Sequence, residues 1–365
     1  MSSSPLKIAV IAGDGIGPEV VAASLSVLEA AAPGNSLAYE TTHFPFSAAH
    51  YLETEHILDD QDIAELRKYD AILLGAVGGL PNDPRLAGGV IEKGILLRLR
   101  FELDQYINLR PVQLYPGIDT PLKDKTADDI DFICVRENTE DLYCGLGGIL
   151  RKGTPHEVAN QTMVATRMGV ERCLRYAFEL AKTRARKHLT LVHKTNVLNF
   201  AGDTWHRAFE EIASEYSDIE TGYHHVDACC MFMVTKPECY DTIVVPNMFG
   251  DIITDLGAAI AGGMGIASSG NLNPAGVAPS MFEPVHGSAP DIAGQNLANP
   301  IATIDSLALL LKETGRIKSN TAAIAAGEQI GAAVKKVTPQ FAGKTLDRSG
   351  YGTDEVSKMV IDALG

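Results

Sequence analysis

The sequence lacks the features that direct a protein to a membrane or to a nucleic acid. No uninterrupted apolar run reaches the roughly 18 residues that span a bilayer. Basic residues are in the minority, since 31 Lys and Arg face 46 Asp and Glu for a net charge of −15. Such a surface repels phosphate backbones and anionic membranes, so both kinds of partner are disfavoured. An acidic ligand would therefore need a local cluster of arginines.

Cysteine is also sparse, and none of the six residues forms a C-x-x-C pair. Most of them lie among apolar neighbours, as Cys134 does between Ile133 and Val135. This favours reduced, buried thiols over a disulfide framework or a zinc site. A strand-like apolar segment begins at Leu6, which leaves no room for a signal or transit peptide. We therefore expect a cytoplasmic protein.

Apolar runs and helical patterns alternate along the chain, which predicts an α/β fold. A single core rarely keeps growing through 365 residues, so we expect two lobes. The clearest strands are short apolar runs at residues 6–12, 71–74, 130–136, 188–193 and 242–246. No low-complexity linker separates two halves. The chain is therefore expected to leave one domain, build the second and return to the first.

Two glycine-rich segments stand out, and neither is decisive alone. The turn at residues 13–19 (GDGIGPE) follows the first strand, but it lacks the third glycine of the Rossmann fingerprint. By itself it predicts only a tight turn that leads into a helix. The loop at residues 282–294 is rich in turn formers and polar groups between predicted helices. That composition fits a ligand-binding loop or a plain surface connection.

Arginines with the right placement for an acidic ligand are Arg98, Arg100, Arg110 and Arg136. The planar guanidinium suits bidentate binding of carboxylates, although a solvated surface arginine is the ordinary alternative. Arg110 and Arg136 come at predicted strand ends, where α/β sheets bind ligands. These two positions favour a binding role.

Two aspartates four residues apart, Asp251 and Asp255, lie on one face of a predicted helix. Their mutual repulsion would be relieved by a cation, and hard oxygen ligands suit Mg²⁺ or Mn²⁺. A helix N-terminus also attracts carboxylates, which explains Asp251 better than Asp255. Lys194 follows an apolar strand, where partial desolvation would suit a general base. A lysine that extends its stem to reach solvent is the alternative.

Together these motifs resemble the β-decarboxylating dehydrogenases, the isocitrate/isopropylmalate dehydrogenase family. The blocks at residues 247–255 (NMFGDIITD) and 283–291 (EPVHGSAPD) are the most specific, and the match runs from Gly13 to the final helix. The resemblance implies a two-domain fold with a large mixed parallel and antiparallel sheet and a non-Rossmann cofactor site. It places a discontinuous cofactor-binding domain at residues 1–105 plus 263–365. A central domain for substrate binding and dimerisation takes residues 106–262.

The resemblance also implies a role for each motif. The substrate carboxylates would be bound by Arg100, Arg110 and Arg136. Catalysis would fall to Tyr143, Lys194 and Asp227, with the lysine taking the hydroxyl proton and the tyrosine protonating the enolate. The divalent metal, Mg²⁺ or Mn²⁺, would be held by Asp227, Asp251 and Asp255. Since Lys194 and Asp227 match residues that reach into the neighbouring subunit's active site, a homodimer is implied.

The cofactor expected from the resemblance is NAD. Its binding residues would be Glu283, His286, Gly287, Ser288, Ala289, Asp291, Ile292 and Asn299. Asp291 would accept hydrogen bonds from the adenosine ribose hydroxyls. A carboxylate at that place repels a 2′-phosphate, which favours NAD over NADP.

The substrate implied by the resemblance is 3-isopropylmalate, an intermediate of leucine biosynthesis. Leu96 and Leu97 occupy the position that faces the substrate's side group and offer only apolar contact. An isopropyl group gains roughly 1.5–3 kcal/mol from burial, whereas the third carboxylate of isocitrate or homoisocitrate would be buried unpaired. D-malate or tartrate remains the alternative, because a small substrate leaves an apolar pocket merely underfilled. A non-catalytic metabolite-binding paralogue is disfavoured, since the lysine, the tyrosine and the metal carboxylates are all present.

Overall fold

The structure is a computed structural model that describes residues 4–79, 83–342 and 350–365. It divides into two compact units. Unit 1 comprises residues 1–105, 113–128 and 258–365, and unit 2 comprises residues 106–112 and 129–257. The predicted central domain at 106–262 is wider than unit 2, because the structure groups 113–128 and 258–262 with unit 1. The role assigned to each domain stays a prediction.

Strands and helices alternate through the described residues. The strands are β1 (Leu6–Gly13), β2 (Tyr39–Phe44), β3 (Ala71–Ala76), β4 (Ile107–Gln113), β5 (Asp131–Glu137), β6 (Gly147–Leu150), β7 (Val158–Gln161), β8 (His188–His193), β9 (Glu220–His225), β10 (Thr242–Val245), β11 (Ser268–Leu272) and β12 (Ser280–Pro284). The helices are α1 (Gly17–Gly34), α2 (Ala48–Thr54), α3 (Asp60–Leu66), α4 (Arg98–Glu102), α5 (Arg167–Thr183), α6 (Asn199–Ala213), α7 (Val226–Thr235), α8 (Asn247–Ile260), α9 (Ile301–Lys318), α10 (Thr321–Val337) and α11 (Thr353–Asp362).

Unit 1 holds a mixed sheet with the strand order β2-β1-β3-β12-β11. Strand β1 pairs in parallel with β2 and β3, and β12 pairs in parallel with β3. Strand β11 runs antiparallel to β12. Apart from the exposed Lys7, the central strands β1 and β3 consist of apolar residues, as expected of strands buried on both faces. The buried helix α9 packs against β11, β12 and β3.

Unit 2 holds strands in the order β4-β5-β10-β8-β9. Strands β5, β10, β8 and β9 are parallel, so their carboxyl ends lie at one edge. Helix α8 starts two residues after β10, and α7 follows β9 directly. Arg136, His193 and His225 are at or next to the ends of β5, β8 and β9. This edge of the sheet in unit 2 therefore carries these three polar residues.

A separate two-stranded antiparallel arm is formed by β6 and β7. Every residue of both strands is exposed. In the described part of the chain, no helix is long and apolar enough to cross a membrane.

The α/β class with a mixed sheet is confirmed, and the five predicted strands are present as β1, β3, β5, β8 and β10. The apolar pattern at residues 251–267 predicts one long helix that carries Asp251 and Asp255, and its bounds were wrong, since α8 is Asn247–Ile260. The chain turns away at Gly262 and Gly263, whose φ angles of 109° and 119° are incompatible with a helix. The sequence at residues 162–185 also predicts a helix, which was too long, because α5 is Arg167–Thr183.

Candidate active site

Arg136 and Tyr143 meet the first aspartate of helix α8. The Arg136 guanidinium donates through NH1 to Asp251 Oδ1 at 2.5 Å and through Nε to Asn247 Oδ1 at 2.9 Å. The Tyr143 hydroxyl donates to the other Asp251 oxygen at 2.7 Å. The guanidinium also lies 5.2 Å from the centre of the Tyr143 ring. Three residues predicted from the sequence are thus brought to one place.

Arg110 joins this group from strand β4. Its Nε donates to Asn108 Oδ1 at 2.8 Å, and NH1 donates to Thr254 Oγ1 at 2.9 Å. Its guanidinium lies 3.8 Å from Asp251 and 3.6 Å from Asp255, measured between nitrogen and carboxylate oxygen. Arg110 and Arg136 are both buried, at 7% and 1% exposure, so their positions are fixed by packing. The surface-arginine alternative is therefore wrong for this pair.

Asp251 and Asp255 provide the oxygen chemistry that a divalent cation requires. Burial raises the pKa of Asp255, Arg110 lowers it, and the neighbouring Asp251 raises it again. A bound cation would stabilise the ionised form of both carboxylates. Both side chains keep substantial exposure, 39% for Asp251 and 59% for Asp255, so the two residues fit a metal that is also open to a ligand.

Lys194 and Asp227 form an ion pair elsewhere in unit 2, with 2.8 Å between Nζ and Oδ1. This hydrogen bond is the main reason why the pKa of Asp227 lies below its ordinary value. Within the described residues, Asp227 does not join Asp251 and Asp255 in a cluster of three ligands. That Asp227 of a partner subunit completes the metal site stays a prediction.

A buried glutamate shapes the turn between Arg136 and Tyr143. Glu137 accepts hydrogen bonds from the backbone N–H of Thr139 at 2.7 Å and of Glu140 at 2.9 Å. Burial raises its pKa to about 7, against the lowering effect of these bonds. Asp141 then accepts from the backbone N–H of Met248 at 2.8 Å, which connects the turn to the start of α8. Neither acid was predicted from the sequence.

In unit 1, Arg100 and Glu283 form a buried pair, with 3.1 Å between NH2 and Oε1. Asn271 Nδ2 donates to the same carboxylate oxygen at 2.8 Å. Asn271 lies on β11 and Glu283 on β12, which pair side by side. A substrate residue and a cofactor residue of the prediction are thus in direct contact. Asn271 was missed, because the polar sequence of β11 does not reveal that the strand is buried.

The glycine-rich turn at 13–19 packs against the predicted cofactor loop. The backbone N–H of Ile16 donates to the Ser288 carbonyl at 2.8 Å. Gly15 has φ of 58°, and a Cβ there would lie 1.9 Å from the same carbonyl oxygen. Ile16 and Val20 form a small core against which Ala289 and Ile292 pack. The turn thus supports the loop, a contact that was not predicted from the sequence.

Two side chains beside this loop have buried polar atoms without a hydrogen-bond partner among the described residues. They are Nε2 of His286 and Nδ2 of Asn299. Unpaired buried groups of this kind are costly unless a ligand satisfies them. Asp291 of the same loop is exposed. These polar groups make the loop a candidate for binding a ligand.

Leu96 and Leu97, predicted to face the substrate's side group, lie in a π-helical segment, Glu92–Leu97, that leads into α4. Both are half-buried. Leu96 packs on the apolar core of unit 1, which includes Ile95 and Leu99. Each leucine therefore keeps some exposed apolar surface.

One group of three potential metal ligands was found among the described residues, His56, Asp59 and Asp62 of unit 1. Asp59 and Asp62 are the reciprocal cap of helix α3. His56 Nε2 is 2.9 Å from Asp62. Helix capping accounts for the arrangement, so it carries no metal assignment.

Comparison with known proteins identifies the family. Residues 7–363 match the family model described as isocitrate/isopropylmalate dehydrogenase. Three curated relatives are named 3-isopropylmalate dehydrogenase. The protein from Clavibacter michiganensis is 53% identical over 359 residues, which cover 98% of both chains. That from Thermobifida fusca is 57% identical over 86% of this chain and 88% of its own. That from Frankia casuarinae is 56% identical over 96% of both.

Solved structures agree with this assignment. Isocitrate dehydrogenase from Methylococcus capsulatus superposes with a TM-score of 0.84 at 33% identity, over 98% of this chain and 99% of that one. The TT0538 protein from Thermus thermophilus superposes with a TM-score of 0.82 at 35% identity, over 98% of this chain and 68% of that one. The two aspartates of α8, the paired arginines and the cofactor-loop sequence occur in a chain that matches one family almost from end to end. The chain belongs to the isocitrate/isopropylmalate dehydrogenase family.

Proposed function

We propose that this protein oxidises and decarboxylates 3-isopropylmalate with NAD and a divalent metal, Mg²⁺ or Mn²⁺. The observation that carries the proposal is the convergence of Arg110, Arg136 and Tyr143 on the two aspartates of α8. Cationic side chains beside oxygen ligands for a cation suit a substrate that carries carboxylates and a hydroxyl. The curated relatives at 53–57% identity, which are named for this substrate, support the choice.

Side chains of unit 2 have separate roles in the proposed reaction. Arg110 and Arg136 bind the substrate carboxylates, since both are buried and already held by asparagine and threonine oxygens. Lys194 acts as the base in its neutral amine form: Nζ accepts the proton of the 2-hydroxyl and becomes an ammonium, which Asp227 orients from 2.8 Å. Tyr143 donates its hydroxyl proton to carbon 3 after CO₂ has left. The 2.7 Å bond to Asp251 places that hydroxyl beside the metal carboxylates.

The two bound groups supply the chemistry that side chains cannot. Asp251 and Asp255 would hold a divalent metal, which would supply positive charge that favours ionisation of a 2-hydroxyl and draws electrons from a 2-oxo group. NAD supplies the hydride acceptor. In unit 1, His286 and Asn299 offer their unpaired polar atoms to the cofactor, and Asp291 offers a carboxylate to the ribose hydroxyls. Arg100, Leu96 and Leu97 remain proposed substrate residues of unit 1.

We also propose that the protein is a homodimer whose active sites are shared. The arm β6–β7 is exposed throughout, although an isolated two-stranded hairpin is marginally stable at best in water. Many large apolar side chains of unit 2 are exposed, among them Leu146, Ile149, Leu150, Val158, Val197, Phe200 and Met231. Phe200, close in sequence to Lys194, is 92% exposed. A second copy of the chain would cover such residues.

A cytoplasmic location is proposed as well. All six cysteines lie within the described residues and are free thiols, and three of them are buried. Free thiols are the usual state in a reducing compartment.

Steady-state kinetics with purified protein test the proposal. We expect kcat/KM for 3-isopropylmalate to exceed that for D-malate, tartrate and isocitrate by roughly 100-fold or more. NAD should be preferred to NADP. A preference for D-malate would overturn the substrate, and a preference for NADP would overturn the cofactor. No reduction of either cofactor with any of these acids would overturn the enzymatic proposal itself.

A further inference from the structure

Lys194 and Asp227 come from two different strand ends that lie side by side. Strands β8 and β9 are parallel, with His193 opposite His225 in the register. Lys194 is the first residue after β8, and Asp227 is in the first turn of α7, directly after β9. The 2.8 Å contact between the two side chains therefore depends on how these two ends are held together.

One hydroxyl group connects the two ends. Tyr223 Oη accepts a hydrogen bond from the backbone N–H of Thr195 at 3.2 Å, and it lies 2.8 Å from Thr195 Oγ1. The same oxygen lies 2.8 Å from Nδ1 of His225. Thr195 is the residue after Lys194, and His225 is two residues before Asp227.

The three contacts use the full hydrogen-bonding capacity of a phenol, which has one donor and two acceptor positions. Thr195 donates twice, from its backbone and from its hydroxyl, and Tyr223 donates to His225. This assignment leaves His225 Nδ1 as an acceptor. The arrangement is saturated, so the oxygen has one favourable position between the strand ends.

Packing on the other side of Thr195 leaves little freedom. A Cβ added to Gly202 of α6 would lie 2.9 Å from Thr195 Cα and 3.2 Å from His193 Nδ1. His193 Nδ1 in turn accepts from the backbone N–H of Lys194 at 2.8 Å. Helix α6 and the Tyr223 hydroxyl therefore hold the segment that carries Lys194 from two directions.

We propose that Tyr223, through its hydroxyl bridge to Thr195 and His225, is the positioning residue for the Lys194–Asp227 pair. The inference rests on the proposed function, in which Lys194 is the base. Tyr223 itself touches neither substrate nor cofactor in this scheme. A shift of about 1 Å in a catalytic group can cost about 100-fold in rate, so loss of one bridging oxygen has a measurable consequence.

The test is Tyr223→Phe, which removes the hydroxyl and keeps the ring. We expect kcat to fall roughly 10- to 100-fold, while KM for 3-isopropylmalate stays within about threefold, because the arginines that bind the substrate are untouched. The matched control is Tyr216→Phe, which removes a hydroxyl of unit 2 that bonds to Glu179 at 2.9 Å. That variant should keep the parental kcat. A parental kcat for Tyr223→Phe would overturn the inference.

A second pair of variants covers the case in which Tyr223→Phe fails to fold. Thr195→Val removes the hydroxyl that meets Tyr223, whereas Thr195→Ser retains it. We expect Thr195→Val to lose kcat and Thr195→Ser to restore most of it, and the losses in Thr195→Val and Tyr223→Phe to be less than additive in the double variant. Equal kcat in the valine and serine variants would contradict the bridge.

Lys194→Ala is measured in the same series to separate this inference from the proposed function. If Lys194→Ala keeps the parental kcat, the proposed role of the lysine is wrong. If Lys194→Ala is inactive while Tyr223→Phe and Thr195→Val behave as the parent, only the positioning role is wrong.

Discussion

Arg136 crosses helix α8 at Gly250, so closely that a Cβ on the glycine would lie 2.5 Å from Cγ of the arginine. Gly250 immediately precedes Asp251, the carboxylate that Arg136 binds. The glycine in the block at 247–255 is therefore required by the arginine stem, and the close approach is what allows the guanidinium to reach the aspartate. Conformational freedom of the helix backbone plays no part in this requirement.

Gly250→Ala should consequently damage both stability and activity. Overpacking of a buried site costs about 1–3 kcal/mol in the free energy of unfolding. Displacement of Arg136 from Asp251 should lower kcat/KM at least tenfold. Urea denaturation and steady-state kinetics measure the two effects.

The control is Gly331→Ala in α10, where an added Cβ has no neighbour within 4 Å. That change should leave activity intact and stabilise the helix by up to about 1 kcal/mol. Identical behaviour of the two variants would contradict the steric requirement.

Removal of divalent metal with a chelator should abolish activity, and Mg²⁺ or Mn²⁺ should restore it. Asp255→Asn removes one of the two charged ligands on α8, so the Mn²⁺ concentration for half-maximal activity should rise roughly tenfold or more. Direct Mn²⁺ binding, followed by electron paramagnetic resonance of the free ion, should weaken in parallel.

The cluster of His56, Asp59 and Asp62 offers the matched control for this experiment. Asp62→Asn changes an aspartate of that cluster in the same way, yet it should leave the metal requirement unchanged. If Asp62→Asn rather than Asp255→Asn weakens Mn²⁺ binding, the metal has been assigned to the wrong acids.

Sharing of active sites between subunits predicts complementation. Lys194→Ala and Asp251→Ala homodimers should each be inactive. After the two variants are unfolded and refolded together, half of the dimers are mixed and one of their two sites is intact, so about a quarter of the parental activity should return. The control mixture combines Lys194→Ala with Asp227→Ala. Both of these residues would serve the same site from the same subunit, so that mixture should stay inactive. Recovery in both mixtures, or in neither, would contradict the shared site.

We expect the buried carboxyl of Asp305 to make the free energy of unfolding depend on pH. It is buried in α9, where burial raises its pKa to about 6 although the Tyr115 hydroxyl donates to it at 2.6 Å. The unfolded chain releases this proton near pH 3.8, so the folded state holds more protons between pH 3.8 and 6, and this group's contribution to stability falls as the pH rises.

Asp305→Asn has no such dependence. The difference in the free energy of unfolding, Asp305→Asn minus parent, should therefore increase by about 2 kcal/mol between pH 4.5 and pH 7.5. The variant gains relative to the parent because only the parent loses stability through this carboxyl as the pH rises. Urea denaturation at several pH values measures the difference. For Asp362→Asn, an exposed aspartate near the end of the chain, the difference from the parent should stay nearly constant. A constant difference for Asp305→Asn as well would show that the buried carboxyl ionises normally.

The sequence was sufficient for elements that are almost wholly apolar. β1 and β3 are buried on both faces, so their composition alone identifies them. β11, with the sequence SSGNL, is equally buried yet was not predicted, because its polar side chains are paired by tertiary contacts such as that of Asn271 with Glu283. α7 was missed as well, since its nearly unbroken apolar run shows no helical period.

The candidate site also contains residues that local spacing predicts and residues that only the fold brings together. Asp251 and Asp255 could be predicted because their relation is local, four residues apart on one helix. The contact of Lys194 with Asp227 depends on β8 lying beside β9, and no spacing in the chain encodes that pairing. Tyr223 and Gly250 could not be singled out from the sequence, because their roles depend on residues that only the fold brings close to them.

The sheet of unit 1 carries a consequence for synthesis. Strand β12 pairs with β3, although roughly 200 residues separate them and unit 2 is encoded in between. At a translation rate of about 5–20 residues per second, β12 is synthesised on the order of 10–40 s after β3, so one apolar edge of β3 stays unpaired for that time. During that interval the nascent chain presents an unpaired strand edge. Chaperone demand during translation should therefore centre on the first hundred residues, and early termination would leave them without a partner.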